Sequence, residues 1–207
     1  ASPRGHVQLD VEAEVAAIEG VLEDMQAAGE VRIHVLRHAQ RMTLRNTLRD
    51  FGPHVLHFIG HGRADREGGA LVLEKRDGGG DLLSGSMLST LLKRADVRLA
   101  VLNACLTARG AVIEEEDFYE VRRALLGVGP ALVDAGLGAV VAMQFSMRDW
   151  SARVFAEDFY TTLARLEPVD EAVSRAREAL MLQFGEDQRD WATPVLFLRA
   201  PDGVIFR

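Results

Sequence analysis

The sequence predicts an α/β fold in which helices pack on a mostly parallel sheet. Short, continuous apolar runs, typical of strands buried on both faces, alternate with amphipathic helical patterns. The clearest runs are Val55–Ile59 and Val97–Leu102. A length of 207 residues with 48% hydrophobic and 27% charged residues suits one globular core. We therefore expect residues 1–207 to form a single domain.

The N-terminal quarter of the chain predicts a helix, a strand and a second helix. Asp10 is placed to cap a helix over Asp10–Ala28, which ends before Gly29. Apolar and polar residues alternate over Val31–Leu36, which indicates a strand. Thr43 opens a short helix that ends before Gly52-Pro53. The apolar stripe of the first helix comprises Val11, Val15, Ile18 and Leu22.

The remainder of the chain predicts a hairpin followed by alternating helices and strands. The hairpin spans Gly68–Leu83, with its turn at Asp77–Gly80, and is an antiparallel insertion in the sheet. Because the chain begins just after a strand is expected, we predict that the first strand lies upstream in a longer protein. The later elements are a helix at Ser86–Arg94, a helix starting at Pro130–Ala135, a strand at Ala139–Phe145, an amphipathic stretch over Ser151–Gln183 interrupted at Pro168, and a strand at Val195–Leu198.

Charge and composition narrow the classes of function. A net charge of -7 argues against binding to nucleic acid or to an anionic membrane, since both need a positive surface. No apolar run approaches the roughly 20 residues that span a bilayer, and no signal peptide is visible at the start. The single cysteine cannot form an intrachain disulfide, which fits a reducing compartment such as the cytoplasm.

Two apolar runs end at residues that suit covalent catalysis. The run VLHFIGHG reaches His61, and the run RLAVLNAC reaches Cys105. In open α/β sheets, chemistry collects beyond the carboxyl ends of the strands, and neighbouring strands lie about 5 Å apart. If the two strands are neighbours, the thiol and the imidazole face each other from the loops that follow. The alternative interpretation makes His61 a loop residue and Cys105 a core thiol.

A cysteine and a histidine at one sheet end predict nucleophilic catalysis. Free cysteine, with a pKa of about 8.5, is mostly protonated at neutral pH, and an imidazole can take the proton and pass it to a leaving amine. The backbone N–H groups of Gly62 and Cys105 are candidates for holding the developing oxyanion. The alternative to nucleophilic catalysis is a metal site, with ligands from His54, His57, His61 and Cys105. It is disfavoured because His57 and His61 lie about 13 Å apart on a strand.

The segments HVLHFIGHG, VRLAVLNACLT and GLGAVVAMQFSMRDWSARVFAEDFYTTL resemble the CHAT domain, a caspase-like peptidase domain often joined to TPR repeats. The resemblance runs from about Asp10 to Leu198. It implies a caspase-haemoglobinase fold, a three-layer sandwich, and a Cys-His dyad that works without metal or organic cofactor. By this resemblance Cys105 is the nucleophile, His61 the general acid/base, and Gly62 part of the oxyanion hole.

The resemblance also implies a substrate pocket. Asn103 matches a position that lines it, and the loop Gln144–Trp150, which includes Ser146 and Asp149, contributes the rest. Asp149 either favours a basic substrate residue through charge-assisted pairing or caps the helix that starts near Ser151. The neighbouring Arg148 would instead favour an acidic residue.

Two departures from the family pattern stand out. The expected first strand, whose end normally supplies part of the substrate groove near Ser2–Gly5, is not found. The segment Ala111–Tyr119 is longer and more acidic than expected after the nucleophile, and is either a lid or activation loop or a solvated surface loop.

The sequence thus predicts a cytoplasmic cysteine endopeptidase that cleaves a protein or peptide partner. We expect it to be the effector module of a larger regulated protein, with TPR or other regulatory domains. The alternative is a non-catalytic caspase-like module that binds or signals. The enzyme is favoured because both dyad residues are present.

Overall fold

A computed structural model of the chain describes residues 1, 3–6, 8–65, 68–106 and 128–207. Six strands form one sheet in the order β3-β2-β1-β4-β5-β6. Strands β1, β4 and β5 are mutually parallel, whereas β2, β3 and β6 each pair antiparallel with their neighbours. The strands are β1 (Val55–Asp65), β2 (Gly68–Glu74), β3 (Gly80–Ser84), β4 (Leu99–Leu106), β5 (Ala139–Met143) and β6 (Pro194–Leu198).

The pairings confirm an α/β fold with a hairpin inserted after the first predicted apolar run. Because β3 is antiparallel to β2, and β2 to β1, four of the six strands run in the same direction: β1, β3, β4 and β5. The sheet is therefore mixed, with its three parallel strands in sequence order at the centre. The predicted strand at Ala139–Phe145 is present as β5, and the last one as β6.

Helices flank the strands along the described chain, and most lie where the sequence predicts. Asp10 caps α1, its carboxylate accepting from the Ala13 N–H at 3.2 Å. The single predicted helix is divided at Leu22 into α1 and α2. Helix α3 begins two residues before Thr43, and Gly52 ends it at a φ of 62°. The helices are α1 (Val11–Val21), α2 (Glu23–Ala27), α3 (Arg41–Phe51), α4 (Gly85–Leu92), α5 (residues 128–134), α6 (Asp149–Ala164) and α7 (Val169–Phe184), with a 3-10 turn at Arg189–Ala192.

The prediction of a strand at Val31–Leu36 is wrong, because residues 31–36 form neither strand nor helix. The burial of the side chains nevertheless follows the alternation in the sequence. Val31 and Ile33 are half-buried and pack against the core, while Arg32 and His34 are exposed. Alternation therefore reports which side chains face the core. It does not supply the neighbouring backbone that a strand needs for its hydrogen bonds.

The hydrophobic core has two clusters, one on each face of the sheet. Successive residues of β4 alternate between them, with Leu99 and Val101 in one and Ala100 and Leu102 in the other. The first cluster takes side chains from α1, α6 and α7. The second takes side chains from α3, α4 and α5. Burial on both faces explains the continuous apolar runs of the central strands.

No helix in the described parts of the chain combines the length and the hydropathy that crossing a bilayer requires. The acidic segment Ala111–Tyr119, predicted as a lid or a solvated loop, lies outside the described residues.

Candidate active site

The two predicted dyad residues occupy adjacent positions in the sheet. Strands β1 and β4 pair in parallel from Val55 opposite Leu99 to Gly62 opposite Leu106, and this register sets His61 directly opposite Cys105. Neighbouring strands lie about 5 Å apart, so the two backbones approach as closely as paired strands allow. The structure therefore brings these two positions together although they are 44 positions apart in the chain.

Neither residue lies in a loop. This corrects the prediction that one strand ends at His61 and the other at Cys105. Strand β1 continues past His61 to Asp65, and β4 ends at Leu106. The continuation has a clear cause, since β2 pairs with β1 from His61 to Asp65. The hairpin thus supplies hydrogen-bonding partners where the glycines alone suggest a break.

The glycine before His61 has a packing role. A Cβ at position 60 would lie 2.7 Å from Cζ of Phe58 and 3.0 Å from the carbonyl oxygen of Ala1. The Phe58 ring therefore folds over the backbone of Gly60 in a space that only glycine leaves open.

The His61 ring is fully buried, with 0% exposure. The His6 ring stacks on it, with centroids 4.7 Å apart and planes inclined by 28°. Nearby contacts hold the same segment in place, because the Arg4 N–H donates to the Gly78 carbonyl at 2.8 Å and the Ala1 amino group to the Ile59 carbonyl at 2.7 Å. Access to the stacked face of His61 therefore requires His6 to move.

Gly62, the predicted oxyanion donor, lies between two strands. Its register partners are Leu106 in β4 and Leu71 in β2. Backbone N–H groups of a strand lie in the plane of the sheet, so that of Gly62 is directed at a neighbouring strand. Its role in an oxyanion hole stays a prediction.

Asn103, predicted to line a substrate pocket, is 9% exposed and bonded to a carboxylate. Its Nδ2 donates to both carboxylate oxygens of Glu14, at 3.0 and 2.8 Å. Glu14 belongs to α1 and is 4% exposed. Helix α1 is thus tied to β4 two residues before Cys105.

The same carboxylate also contacts β1. Nε2 of His57 lies 3.0 Å from Oε1 of Glu14, and Nδ1 lies 2.8 Å from the hydroxyl of Tyr160 on α6. Because a carboxylate oxygen accepts, Nε2 is the donor to Glu14, and Nδ1 shares the second hydrogen bond with the Tyr160 hydroxyl. Burial raises the pKa of Tyr160 well above its usual range, with the Glu14 charge adding to the effect, so the hydroxyl stays protonated. We call Glu14, His57, Asn103 and Tyr160 the polar network.

Our sequence interpretation missed three members of the polar network, although two left a signal. Glu14 lies between Val11 and Ile18 at helical spacing, so an acidic residue interrupts the apolar stripe of α1. His57 is a polar residue inside an apolar strand run. Both are polar groups at positions predicted to be buried, and such groups need partners.

The remaining pocket candidates follow the carboxyl end of β5, at the same end of the parallel strands as His61. Gln144 is half-buried; its N–H donates to the Thr193 carbonyl at 2.9 Å and its Nε2 to the Ala192 carbonyl at 2.5 Å. Ser146 is exposed. The structure places both at the expected edge of the sheet, and their part in binding substrate stays a prediction.

Asp149 is the first residue of α6 rather than its cap, which is Arg148. The capping interpretation is therefore wrong. The Asp149 carboxylate is exposed and accepts from the backbone N–H of Asp10 at 3.1 Å. Arg148 pairs with Asp190 at 2.8 Å and lies over the Trp150 ring, so its charge already has a partner.

Two of the histidines weighed for a metal site have other partners. Both ring nitrogens of His57 are in the polar network, and Nε2 of His54 lies 3.2 Å from an Asp96 carboxylate oxygen.

Comparison with protein families identifies the relatives of this chain. The sequence model of the CHAT domain matches residues 9–198, which is most of the chain. CHAT domains are related to caspase-like cysteine peptidases. A comparison with curated proteins gave no match.

Proposed function

The chain belongs to the CHAT family, and from that premise we propose that it is a cysteine endopeptidase acting through a Cys105–His61 dyad. The observation that carries the proposal is the β1–β4 register, which sets His61 opposite Cys105 at the end of the parallel ladder. A nucleophile and its base must lie within hydrogen-bond reach, and the direct pairing of the two strand positions supports that proximity.

The proposed reaction follows from the chemistry of the two groups. His61 accepts the thiol proton, and the Cys105 thiolate attacks the carbonyl carbon of the scissile bond. The N–H groups of Gly62 and Cys105 stabilise the oxyanion. His61 then gives its proton to the leaving amine, which breaks the C–N bond and leaves a thioester. Water, deprotonated by His61, hydrolyses the thioester and restores the thiol. None of these steps needs a metal or an organic cofactor.

The proposed substrate is a protein or peptide partner bound beside Asn103, Gln144, Ser146 and Asp149. The position of the last three, after the carboxyl end of β5, supports a pocket at this edge of the sheet. We assign to the exposed Asp149 carboxylate a preference for arginine or lysine before the cleaved bond. Nucleic acid and membrane are not proposed as partners, given the net charge of -7.

The finer architecture and setting belong to the same proposal. Apolar clusters on both faces of the sheet support a three-layer caspase-haemoglobinase sandwich, with residues 1–207 as one peptidase domain. CHAT domains often accompany TPR repeats, so we propose that this one is the effector part of a longer regulated protein. The single cysteine fits the reducing cytoplasm.

A peptide library tests turnover and specificity together. We expect the wild-type chain to cleave library peptides, Cys105→Ala to be inactive, and His61→Ala to lose most of the rate. In Asp149→Ala, preference for basic residues should fall while cleavage of other peptides continues. Cleavage that survives Cys105→Ala would contradict the mechanism, and an unchanged basic preference would remove Asp149 from the pocket.

One observation favours a second candidate, a CHAT domain that binds or signals without turnover. The His61 ring is 0% exposed and lies under His6. A binding module needs no access to that ring. It would capture a partner with equal affinity in the wild type and in Cys105→Ala, and cleave nothing.

A further inference from the structure

We infer that Glu14 is a positioning residue that aligns the two strands carrying the dyad. The inference rests on the proposed function and deepens it, because it names the side chain that holds His61 and Cys105 in register. Glu14 is not proposed to act on either of them directly. Its effect passes through Asn103 and His57.

A single carboxylate binds one side chain from each catalytic strand. Glu14 accepts from Asn103 of β4, two residues before Cys105, and from His57 of β1, four residues before His61. Side chains two and four positions apart on a strand share a face, so His57 and His61 lie on the same face of β1. The carboxylate therefore bridges β1 and β4 from the α1 side, just before the paired dyad positions.

The bridge is built to be rigid. Glu14 is 4% exposed, and each of its oxygens accepts at least one hydrogen bond. Hydrogen bonds to an ionised group are about twice as strong as neutral ones, and a buried donor that loses its acceptor keeps the full cost of desolvation. Arrangements in which Asn103 or His57 loses its hydrogen bond to Glu14 are therefore unfavourable.

Such rigidity matters to a thiol–imidazole pair more than to ordinary packing. A displacement of about 1 Å can cost a catalytic pair roughly 100-fold in rate. The β1–β4 ladder fixes which residues are opposite each other. The Glu14 bridge adds a constraint from side chains on the spacing and twist of the strands next to that pair.

Tyr160 provides a matched control within the same network. Its hydroxyl bonds the far nitrogen of His57 and makes no bond to Glu14 or Asn103 in the hydrogen bonds described. Tyr160→Phe therefore removes a buried hydrogen bond of the network and leaves the bridge in place. A variant that only loosens the core and one that breaks the bridge can thus be compared directly.

The experiment measures how fast iodoacetamide alkylates Cys105, the only cysteine, at pH 7, by intact mass. Glu14→Gln keeps one acceptor oxygen but replaces the other with an amide N–H₂ that faces the Asn103 N–H₂, so two donors meet and the bridge is weakened. We expect alkylation to slow by about tenfold. The double variant E14Q/N103D restores a donor–acceptor pair at unchanged net charge and should recover most of the rate. Tyr160→Phe should react like the wild type.

The outcomes separate this inference from the proposed function. If His61→Ala slows alkylation but Glu14→Gln does not, Glu14 has no positioning role and the dyad stands. If Tyr160→Phe slows as much as Glu14→Gln, or the double variant fails to recover, the effect is general loosening and the inference is wrong. If His61→Ala itself alkylates at the wild-type rate, the dyad is refuted. All rates are compared at a temperature where circular dichroism shows every variant folded.

Discussion

Two histidines on the same face of β1, four residues apart, have different surroundings. Both ring nitrogens of His57 are held by Glu14 and Tyr160 within the polar network. The His61 ring lies against another aromatic ring, that of His6, and its backbone is paired with Cys105. One histidine is fixed between a helix and the sheet. The other lies near the end of the parallel ladder, opposite the backbone of Cys105.

The two histidines lie at different positions along the same strand, and we propose a structural role for one and a catalytic role for the other. His57 lies where helices α1 and α6 cover the sheet, and both of its ring nitrogens have partners there. His61 lies near the carboxyl end of the parallel β1–β4 ladder, the end at which open α/β sheets carry their chemistry. We expect changes at the fully buried His61 to lower both rate and stability, whereas changes in the polar network act first on stability.

The largest expected effect is on catalysis. In His61→Ala, peptide cleavage should fall by about 10²–10⁴-fold, since general acid–base catalysis contributes that much. Because the His61 ring is fully buried, the variant should also be less stable, so the rates are compared at a temperature where circular dichroism shows both proteins folded. Cleavage at more than a tenth of the wild-type rate would erase the distinction between the two histidines.

Loss of the Glu14 carboxylate comes next. Glu14→Ala leaves the buried donors of Asn103 and His57 without an acceptor, and we expect the free energy of unfolding to fall by about 3 kcal/mol. Urea denaturation measures it. Replacing the exposed Glu12 with alanine is the matched control and should cost under about 0.5 kcal/mol. Equal losses in the two variants would show that the buried bridge contributes little.

A smaller loss of stability is expected when Tyr160, which bonds the far nitrogen of His57 in the polar network, is changed. Tyr160→Phe keeps the ring packing and removes one buried hydrogen bond, for about 1 kcal/mol. For a chain of this size that lowers the melting temperature by about 2–4 °C, which calorimetry resolves. An unchanged melting temperature would mean that the hydroxyl and His57 are not bonded in solution.

The smallest effect concerns the cover over His61. Replacing His6 with alanine removes the stacked ring and should raise the rate of Cys105 alkylation severalfold, with stability nearly unchanged. Replacing the exposed His34 with alanine is the control, since that ring lies beside Phe51 and away from the dyad. A slower reaction in His6→Ala would show that His6 supports the site instead of covering it.

Much of the fold follows from local sequence patterns, whereas the environment of the candidate site does not. The stripe of α1 and the run Val55–Ile59 predict their elements because burial pattern and periodicity agree. The end of β1 could not be predicted, since its extension depends on pairing with β2. The polar network joins residues as far apart as His57 and Tyr160, 103 positions along the chain, so only the tertiary structure shows which partners meet.

The most direct test of the account is the pH dependence of Cys105 alkylation in the wild type and in His61→Ala. A thiol paired with an imidazole should titrate below the ordinary pKa of about 8.5, so the wild type should react fast at pH 7. In His61→Ala the apparent pKa should return to about 8.5 and the rate at pH 7 should drop. Identical profiles in the two proteins would contradict the claim that His61 and Cys105 act as a pair.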